Sequence, residues 1–218
     1  MIQRDPSWTG QWVADRICQR DDVKNVHLLR PQILQIARVD WEPFIAATLA
    51  SAAVDRATVE GLATVGPEVD IFVNVPKESI WTGDAIAAVE ENKAAFGGMA
   101  DLHRAITEMT PSQYVNPEFG FVERGLRQHT NVSGLRRLYD RKYAIERPGL
   151  ADVSVVLLNE YELTADHVRT ARDRYGVFDS ILITNPNGRS TGAADAAADS
   201  MGARIYKWGE LLGRLNRT

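Results

Sequence analysis

The loop at residues 185–192, with the sequence NPNGRSTG, has the residue types that best suit ligand binding. Its two glycines let backbone amides approach a ligand closely, and Arg189 adds a positive charge. The alanine-rich segment that follows predicts a helix, whose first N–H groups can bind an anion. The loop equally fits a plain turn from strand to helix, capped by Thr191. It matches neither the P-loop pattern nor the dinucleotide-binding fingerprint.

Polar residues follow three predicted strands, at the ends where ligands bind in parallel α/β sheets. This placement predicts a pocket for a nucleotide or another small anion. Each asparagine in the set is also explained by a turn, because its side chain can bond to its own backbone. The candidate ligand-binding residues are Asn74, Lys77, Asn159, Asn185, Asn187, Gly188, Arg189 and Thr191.

A basic stretch at residues 121–149 stands out on a chain whose formal net charge is −4. Two tyrosines, Tyr139 and Tyr143, lie between its basic residues, and such a pattern can contact nucleic-acid phosphates. A solvated hairpin is the alternative interpretation. The candidate nucleic-acid-binding residues are Arg124, Arg127, Arg136, Arg137, Arg141 and Lys142.

Several other chemistries lack the residues they need. Cys18 is the only cysteine, which excludes an intrachain disulfide and a cysteine-based metal cluster. The four histidines show no zinc-site spacing, and no GxSxG nucleophile motif occurs. No secretory signal or long apolar run is present, so we expect no membrane partner and a cytoplasmic location.

Stretches of strand character alternate with stretches of helix character, which predicts an α/β protein with a mostly parallel or mixed sheet flanked by helices. Residues 41–62 are rich in alanine and predict one or two helices. Residues 134–147 predict a β-hairpin. The other predicted strands are residues 32–39, 69–75, 94–99, 153–158, 180–184 and 204–207.

The proline-containing segment 109–120 is the best linker candidate and predicts an N-terminal half at residues 1–110 and a C-terminal half at residues 111–218. One compact domain is the alternative. The halves share a strand, an asparagine near its end and a helix start with threonine and aspartate. Either they are related βαβ-containing halves, or they resemble each other only because all βαβ units look alike.

From about Phe119 onward, the element order resembles that of the restriction-endonuclease-like (PD-(D/E)xK) nuclease fold. An acid-bearing helix is followed by a hairpin, a strand with an acid, a helix and a further strand. The resemblance implies Glu123, Asp152 and Glu160 as catalytic residues, with Asp140 as an alternative to Asp152. It also implies Mg²⁺ as cofactor, held by Asp152 and Glu160. The family's lysine is missing after Glu160, which puts catalysis in doubt.

Three functional hypotheses follow from the sequence. The first is a nucleic-acid-associated protein with a nuclease-like C-terminal half, either metal-dependent or catalytically degenerate. The second is a small-molecule pocket protein that binds a nucleotide or another anion. The third is an interaction module, in which Trp8, Trp41, Trp81 and Trp208 mark a surface for a partner or for homo-oligomer formation.

Overall fold

The structure is a computed structural model that describes residues 6–217, with side chains from Trp8 onward. The chain divides into two compact units, Met1–Asn116 and Pro117–Thr218, here called unit 1 and unit 2. Both are mixed α/β units, as the alternation of strand and helix patterns predicted. Within the described residues, no helix is long and apolar enough to cross a membrane.

Unit 1 begins with a helix, continues with three strands and then alternates helices with strands. A short 3-10 turn at Pro111–Gln113 follows its last helix. The elements are α1 (Pro6–Ile17), β1 (Val23–Arg30), β2 (Ile33–Arg38), β3 (Phe44–Leu49), β4 (Ala53–Val54), α2 (Arg56–Ala63), β5 (Ile71–Asn74), β6 (Ile80–Trp81), α3 (Gly83–Glu91), β7 (Ala95–Gly97) and α4 (Met99–Ala105).

Unit 2 has the same order of helices and strands. The elements are α5 (Pro117–Arg127), β8 (Gly134–Tyr139), β9 (Lys142–Arg147), β10 (Leu150–Leu158), β11 (Glu162–Leu163), α6 (Ala165–Tyr175), β12 (Ser180–Ile183), β13 (Arg189–Ser190), α7 (Gly192–Ser200), β14 (Arg204–Tyr206) and α8 (Trp208–Leu215).

Each unit is built on a five-stranded mixed sheet. The strand orders are β1-β2-β3-β5-β7 and β8-β9-β10-β12-β14. In both sheets the first three strands pair antiparallel and the last three pair parallel. A small parallel pair, β4 with β6 and β11 with β13, accompanies each sheet. The carboxyl ends of the parallel strands therefore share one edge within each unit.

Alternating side chains along the strands bury both faces of the unit 1 sheet. Ile71 and Val73 pack into a cluster with α1 and α4, whereas Phe72 between them packs into a second cluster with α2 and α3. This two-sided burial follows from the period of two along a strand. In unit 2, a cluster of apolar residues likewise joins α5 and α8 to β9, β10 and β12.

Polar residues with the same hydrogen bonds recur at a constant separation of 109 positions. Asp70 accepts a hydrogen bond from the backbone N–H of Ile45, and Asp179 accepts one from the backbone N–H of Ser154. Thr82 caps α3 and Thr191 caps α7 in the same way. The two units therefore share hydrogen-bonding residues at equivalent positions as well as the order of their elements.

The two units also share a buried arginine that donates hydrogen bonds to three backbone carbonyls. Arg38 donates to the carbonyls of Glu42, Ile106 and Glu108. Arg147 donates to the carbonyls that lie 109 positions later, which are those of Ala151, Leu215 and Arg217. Each guanidinium ties the end of a central strand to the carbonyls at the end of the last helix, where a cation suits the helix dipole.

Two parts of the sequence prediction for unit 1 were wrong. Residues 41–62 contain strand β3 before their one helix, because Phe44 and Ile45 pair with β2 on one side while β3 pairs with β5 on the other. Tertiary pairing there overrides the helix propensity of alanine. Strand β1 was missed, since it is an edge strand with mostly exposed side chains and no clear alternation.

We expect Arg147→Ala to lower the free energy of unfolding by about 3 kcal/mol, because it removes a buried guanidinium that donates to the carbonyls of Ala151, Leu215 and Arg217. Urea unfolding followed by circular dichroism measures this loss. The control is Arg136→Ala, at an exposed position of β8, which should change stability by about 0.5 kcal/mol or less. Equal stability of the two variants would contradict the bridging role of Arg147.

Candidate functional site

The carboxylate of Glu118 lies at the centre of a polar cluster in unit 2. Pro117 occupies the first position of α5, where its missing N–H costs no helical hydrogen bond. Glu118 follows in the first turn, where a negative charge suits the helix dipole. Its side chain is only 14% exposed, so its charge requires partners.

Three other elements supply those partners. Arg141, in the turn between β8 and β9, donates to both carboxylate oxygens of Glu118, with N–O distances of 2.8 and 3.1 Å. Thr184 follows β12 and donates its hydroxyl to Oε1 at 2.5 Å. Asn159 follows β10 and donates Nδ2 to Oε2 at 3.3 Å. These four residues are here called the Glu118 network.

The network keeps Glu118 ionised despite its burial. Burial by itself raises the pKa of this carboxyl, but the hydrogen bonds and charge of Arg141, together with Thr184 and Asn159, bring the pKa below its ordinary value of 4.5. Burial likewise works against the charge of Arg141, and Glu118 reverses the effect, so that the pKa of the guanidinium is raised. The pair is therefore a bidentate, charge-assisted contact.

A cavity of about 620 Å³ lies beside the network, at the carboxyl ends of β10, β12 and β14. Its wall is largely apolar and carries a few polar groups, a combination typical of small-molecule sites. Glu118, Thr184 and Asn159 all contribute to the wall. Other lining residues are Phe121, Leu182, Asn185, Lys207 and Trp208.

Two aromatic rings form one side of the cavity. Phe121 and Trp208 have ring centroids 5.1 Å apart and an interplanar angle of 50°. Gly125 makes this packing possible, because a Cβ at that position would lie 2.3 Å from Cζ2 of Trp208. Phe121 remains 56% exposed, so its ring is accessible to a ligand.

The equivalent positions of unit 1 do not carry the network. Residues 109 positions earlier than Glu118, Arg141, Asn159 and Thr184 are Thr9, Gln32, Ala50 and Val75. Thr9 is fully buried, and Gln32 donates to the backbone carbonyl of Thr48. Unit 1 reaches the same fold without these groups. The fold therefore does not require the Glu118 network, which is specific to unit 2.

The loop at residues 185–192 satisfies most of its own polar groups. Asn185 accepts from the backbone N–H of Asn187, and Thr191 caps α7. Arg189 pairs with Glu162 at 3.1 Å. A Cβ on Gly188 would lie 2.5 Å from the carbonyl oxygen of Glu160, so close backbone packing explains this glycine. The loop contributes Asn185 to the cavity. Arg189 instead pairs with Glu162, and Thr191 caps α7.

The predicted ligand set is divided between the two units. Asn159 and Asn185 line the cavity in unit 2. Asn74, at the end of β5 in unit 1, is buried and its side chain bonds to both the N–H and the carbonyl of Ser51. Asn74 therefore holds the chain after β3 against the end of β5, a structural role. Lys77 lies beyond β5 and is exposed.

The three predicted catalytic acids occupy different places in unit 2. Asp152 is near the start of β10 and Glu160 lies beyond its end, so about 20 Å of strand separates them. Glu123, on α5, accepts from Arg137 and from the Tyr143 hydroxyl. Among the residues that the structure describes, no three His, Cys, Asp or Glu side chains form a group that could hold a metal ion. The structure thus does not support Asp152 and Glu160 as a shared Mg²⁺ site.

Only part of the predicted nucleic-acid surface is available. Lys142 is buried, and its Nζ donates to the carbonyls of Tyr175 and Val177 at 2.7 Å each, so the prediction that it contacts phosphate was wrong. Arg137 and Arg141 are half-buried and hold carboxylates. The exposed members are Arg124, Arg127 and Arg136.

The tryptophans proposed as a partner surface differ in exposure. Trp81 is 4% exposed and packs against Phe96, so it belongs to the core of unit 1. Trp8 and Trp41 are 40% and 44% exposed. Trp208 lines the cavity of unit 2.

Sequence reasoning missed Glu118 and Thr184. The Pro-Glu pair at residues 117 and 118 is typical of a helix start, and Thr184 directly follows an apolar strand. Either signal could have placed these residues at the carboxyl edge of the sheet. No family model, curated protein or solved structure matches this chain, so the site is interpreted from its own geometry.

We expect Glu118→Gln to lower the free energy of unfolding at pH 7 by about 2–3 kcal/mol, because it leaves Arg141 without its counter-charge. Since the folded-state pKa of Glu118 lies below 4.5, the ion pair contributes fully above pH 4.5 and its contribution is lost as the pH falls through the lowered value. The stability difference between wild type and variant should therefore shrink below pH 4.5.

Urea unfolding at pH 7, 4.5 and 3 tests this expectation. The matched control is Glu162→Gln, which breaks the exposed pair with Arg189 and should cost at most about 1 kcal/mol. A Glu118→Gln penalty that does not change with pH would show that the ion pair is not its source.

Proposed function

We propose that unit 2 binds a small molecule with an aromatic body and an anionic group in the cavity at the carboxyl ends of β10, β12 and β14. The observation that carries the proposal is the Glu118 network beside this cavity. Unit 1 folds in the same way without it, so these polar residues serve something other than the fold.

The lining of the cavity defines the class of ligand. Phe121 and Trp208 offer ring faces on which a planar group can stack. Arg141 neutralises Glu118, and Lys207 is an exposed cation at the wall. The amides of Asn159 and Asn185 can donate and accept hydrogen bonds. A nucleotide combines a planar base with a negative charge, and we therefore place nucleotides first among the candidates.

The binding test is calorimetric titration with a panel of nucleoside monophosphates and aromatic carboxylates. We expect at least one member to bind, and Lys207→Ala to weaken its binding about tenfold, the equivalent of ~1.4 kcal/mol. Arg189→Ala is the matched control, because Arg189 is a nearby cation that pairs with Glu162 and does not line the cavity. No binding across the panel, or an equal loss in both variants, would contradict the proposal.

A second candidate function is association with nucleic acid through the exposed arginines of unit 2. Arg124 and Arg127 lie three residues apart on α5, and Arg136 lies on β8, which α5 contacts. The helix–three strands–helix–strand order that suggested the nuclease-like resemblance occurs in both units. Because both units have this order, it does not by itself indicate a nuclease. We therefore propose that the exposed arginines bind a phosphate backbone without catalysis.

We expect the triple variant Arg124→Ala, Arg127→Ala and Arg136→Ala to bind a single-stranded oligonucleotide at least tenfold more weakly than wild type at 50 mM salt. Wild-type affinity should fall with rising salt, as it does for phosphate contacts. Fluorescence anisotropy of a labelled oligonucleotide measures both effects. Binding that is independent of salt, or equal in the variant, would exclude this surface.

A further inference from the structure

A second, more polar groove lies in unit 2, along strand β14 and helix α8. Its volume is about 960 Å³. It differs from the aromatic cavity described above, because its wall carries three arginines and two carboxylates. The residues that matter here are Arg204, Glu210, Gly213, Arg214 and Arg217.

In unit 1 the corresponding surface is covered by the chain itself. The 3-10 turn at Pro111–Gln113 lies against β7, and Tyr114 is 93% buried in a cluster that includes Ala95 and Ala105. The hydroxyl of Tyr114 donates to Oδ1 of Asp101 at 2.7 Å. Asn116 donates to the same oxygen at 2.8 Å.

The separation of 109 positions shows that the two surfaces correspond. Asp101 and Glu210 are equivalent, and each binds the backbone N–H at the start of its own helix through one carboxylate oxygen. Asp101 uses its other oxygen to hold Tyr114 and Asn116. The groove beside Glu210 is therefore the surface that residues 111–116 cover in unit 1.

The chemistry of this surface differs between the units. Arg204, Arg214 and Arg217 stand where unit 1 has Ala95, Ala105 and Glu108. Gly213 stands where unit 1 has Arg104, and a Cβ at Gly213 would meet no atom within 4 Å. The unit 2 surface is thus more basic than its covered counterpart, and it is open at Gly213.

We propose that this groove binds an extended acidic peptide segment of a partner protein, which lies as residues 111–116 lie in unit 1. Acidic side chains of the segment pair with Arg204 and Arg217 at the groove wall. A tyrosine of the segment donates its hydroxyl to Glu210, as Tyr114 donates to Asp101. Glu210 uses one carboxylate oxygen for the backbone N–H of Lys207, and its other oxygen can accept a hydrogen bond from a tyrosine hydroxyl, a donor that a phosphate backbone lacks.

The test uses fluorescence anisotropy with the full-length protein and labelled peptides built on the chain's own sequence 109–117, MTPSQYVNP. The principal probe carries glutamate in place of its serine and glutamine. The second probe is the same acidic peptide with phenylalanine in place of tyrosine. A single-stranded oligonucleotide of similar length is the third probe.

We expect the acidic peptide to bind, and the phenylalanine version to bind about fivefold more weakly. The double variant Arg204→Ala and Arg217→Glu restores the unit 1 residues at these positions and should weaken binding of the acidic peptide at least tenfold. Arg169→Glu, an exposed charge reversal on α6 at a residue that lines neither the cavity nor the groove, is the matched control and should leave peptide binding unchanged.

Three results would overturn the proposal. One is the absence of peptide binding to wild type while circular dichroism shows it folded. Another is equal binding by wild type and the double variant. The last is oligonucleotide binding that is tighter than peptide binding and is lost in the double variant, which would assign the groove to nucleic acid. Because the cavity at Trp208 does not enter this test, a failure here leaves the proposed small-molecule function unaffected.

Discussion

Each unit depends on one buried guanidinium that holds backbone carbonyls from two distant parts of its sequence. Arg38 and Arg147 leave the ends of β2 and β9 and reach the carbonyls at the ends of α4 and α8, about 70 residues later in the chain. A lysine could not replace them, because a single ammonium lacks the planar fork that serves three acceptors. The closing helix of each unit is therefore positioned by an arginine fixed in the sheet, and the surfaces beside that helix take their shape from it.

Comparison of the two units distinguishes the residues that the fold requires from the residues that occur in one unit alone. Shared residues such as Arg147, Asp179 and Thr191 fill backbone roles in strand pairing and helix capping, and their counterparts in unit 1 make the same bonds. The Glu118 network makes no such bonds and is absent from the equivalent positions. A buried ion pair is a costly feature for a small unit, and replacing such a pair with apolar residues is often neutral or stabilising. Its presence in only one of two like units thus favours a role in binding.

Local signals in the sequence were sufficient for much of the architecture. Capping threonines placed the starts of α3, α6 and α7, and the hairpin of β8 and β9 followed from its alternating pattern. Strands β1 and β3 could not be read locally, since β1 is an exposed edge and β3 is alanine-rich and defined by its neighbours. Glu118 was missed for a similar reason. Its partners come from three separate segments, and only the folded sheet brings Arg141, Asn159 and Thr184 to one carboxylate.

The internal repeat also bears on how many ligands one chain can hold. Two units of the same fold would suggest two equal sites and a binding curve with two steps. The Glu118 network, however, occurs once among the equivalent positions of the two units, and so does the arginine set of the groove on α8. Within the described residues, a ligand that relies on either set has one place to bind. Cooperative binding of such a ligand at these places would then require contact between different chains.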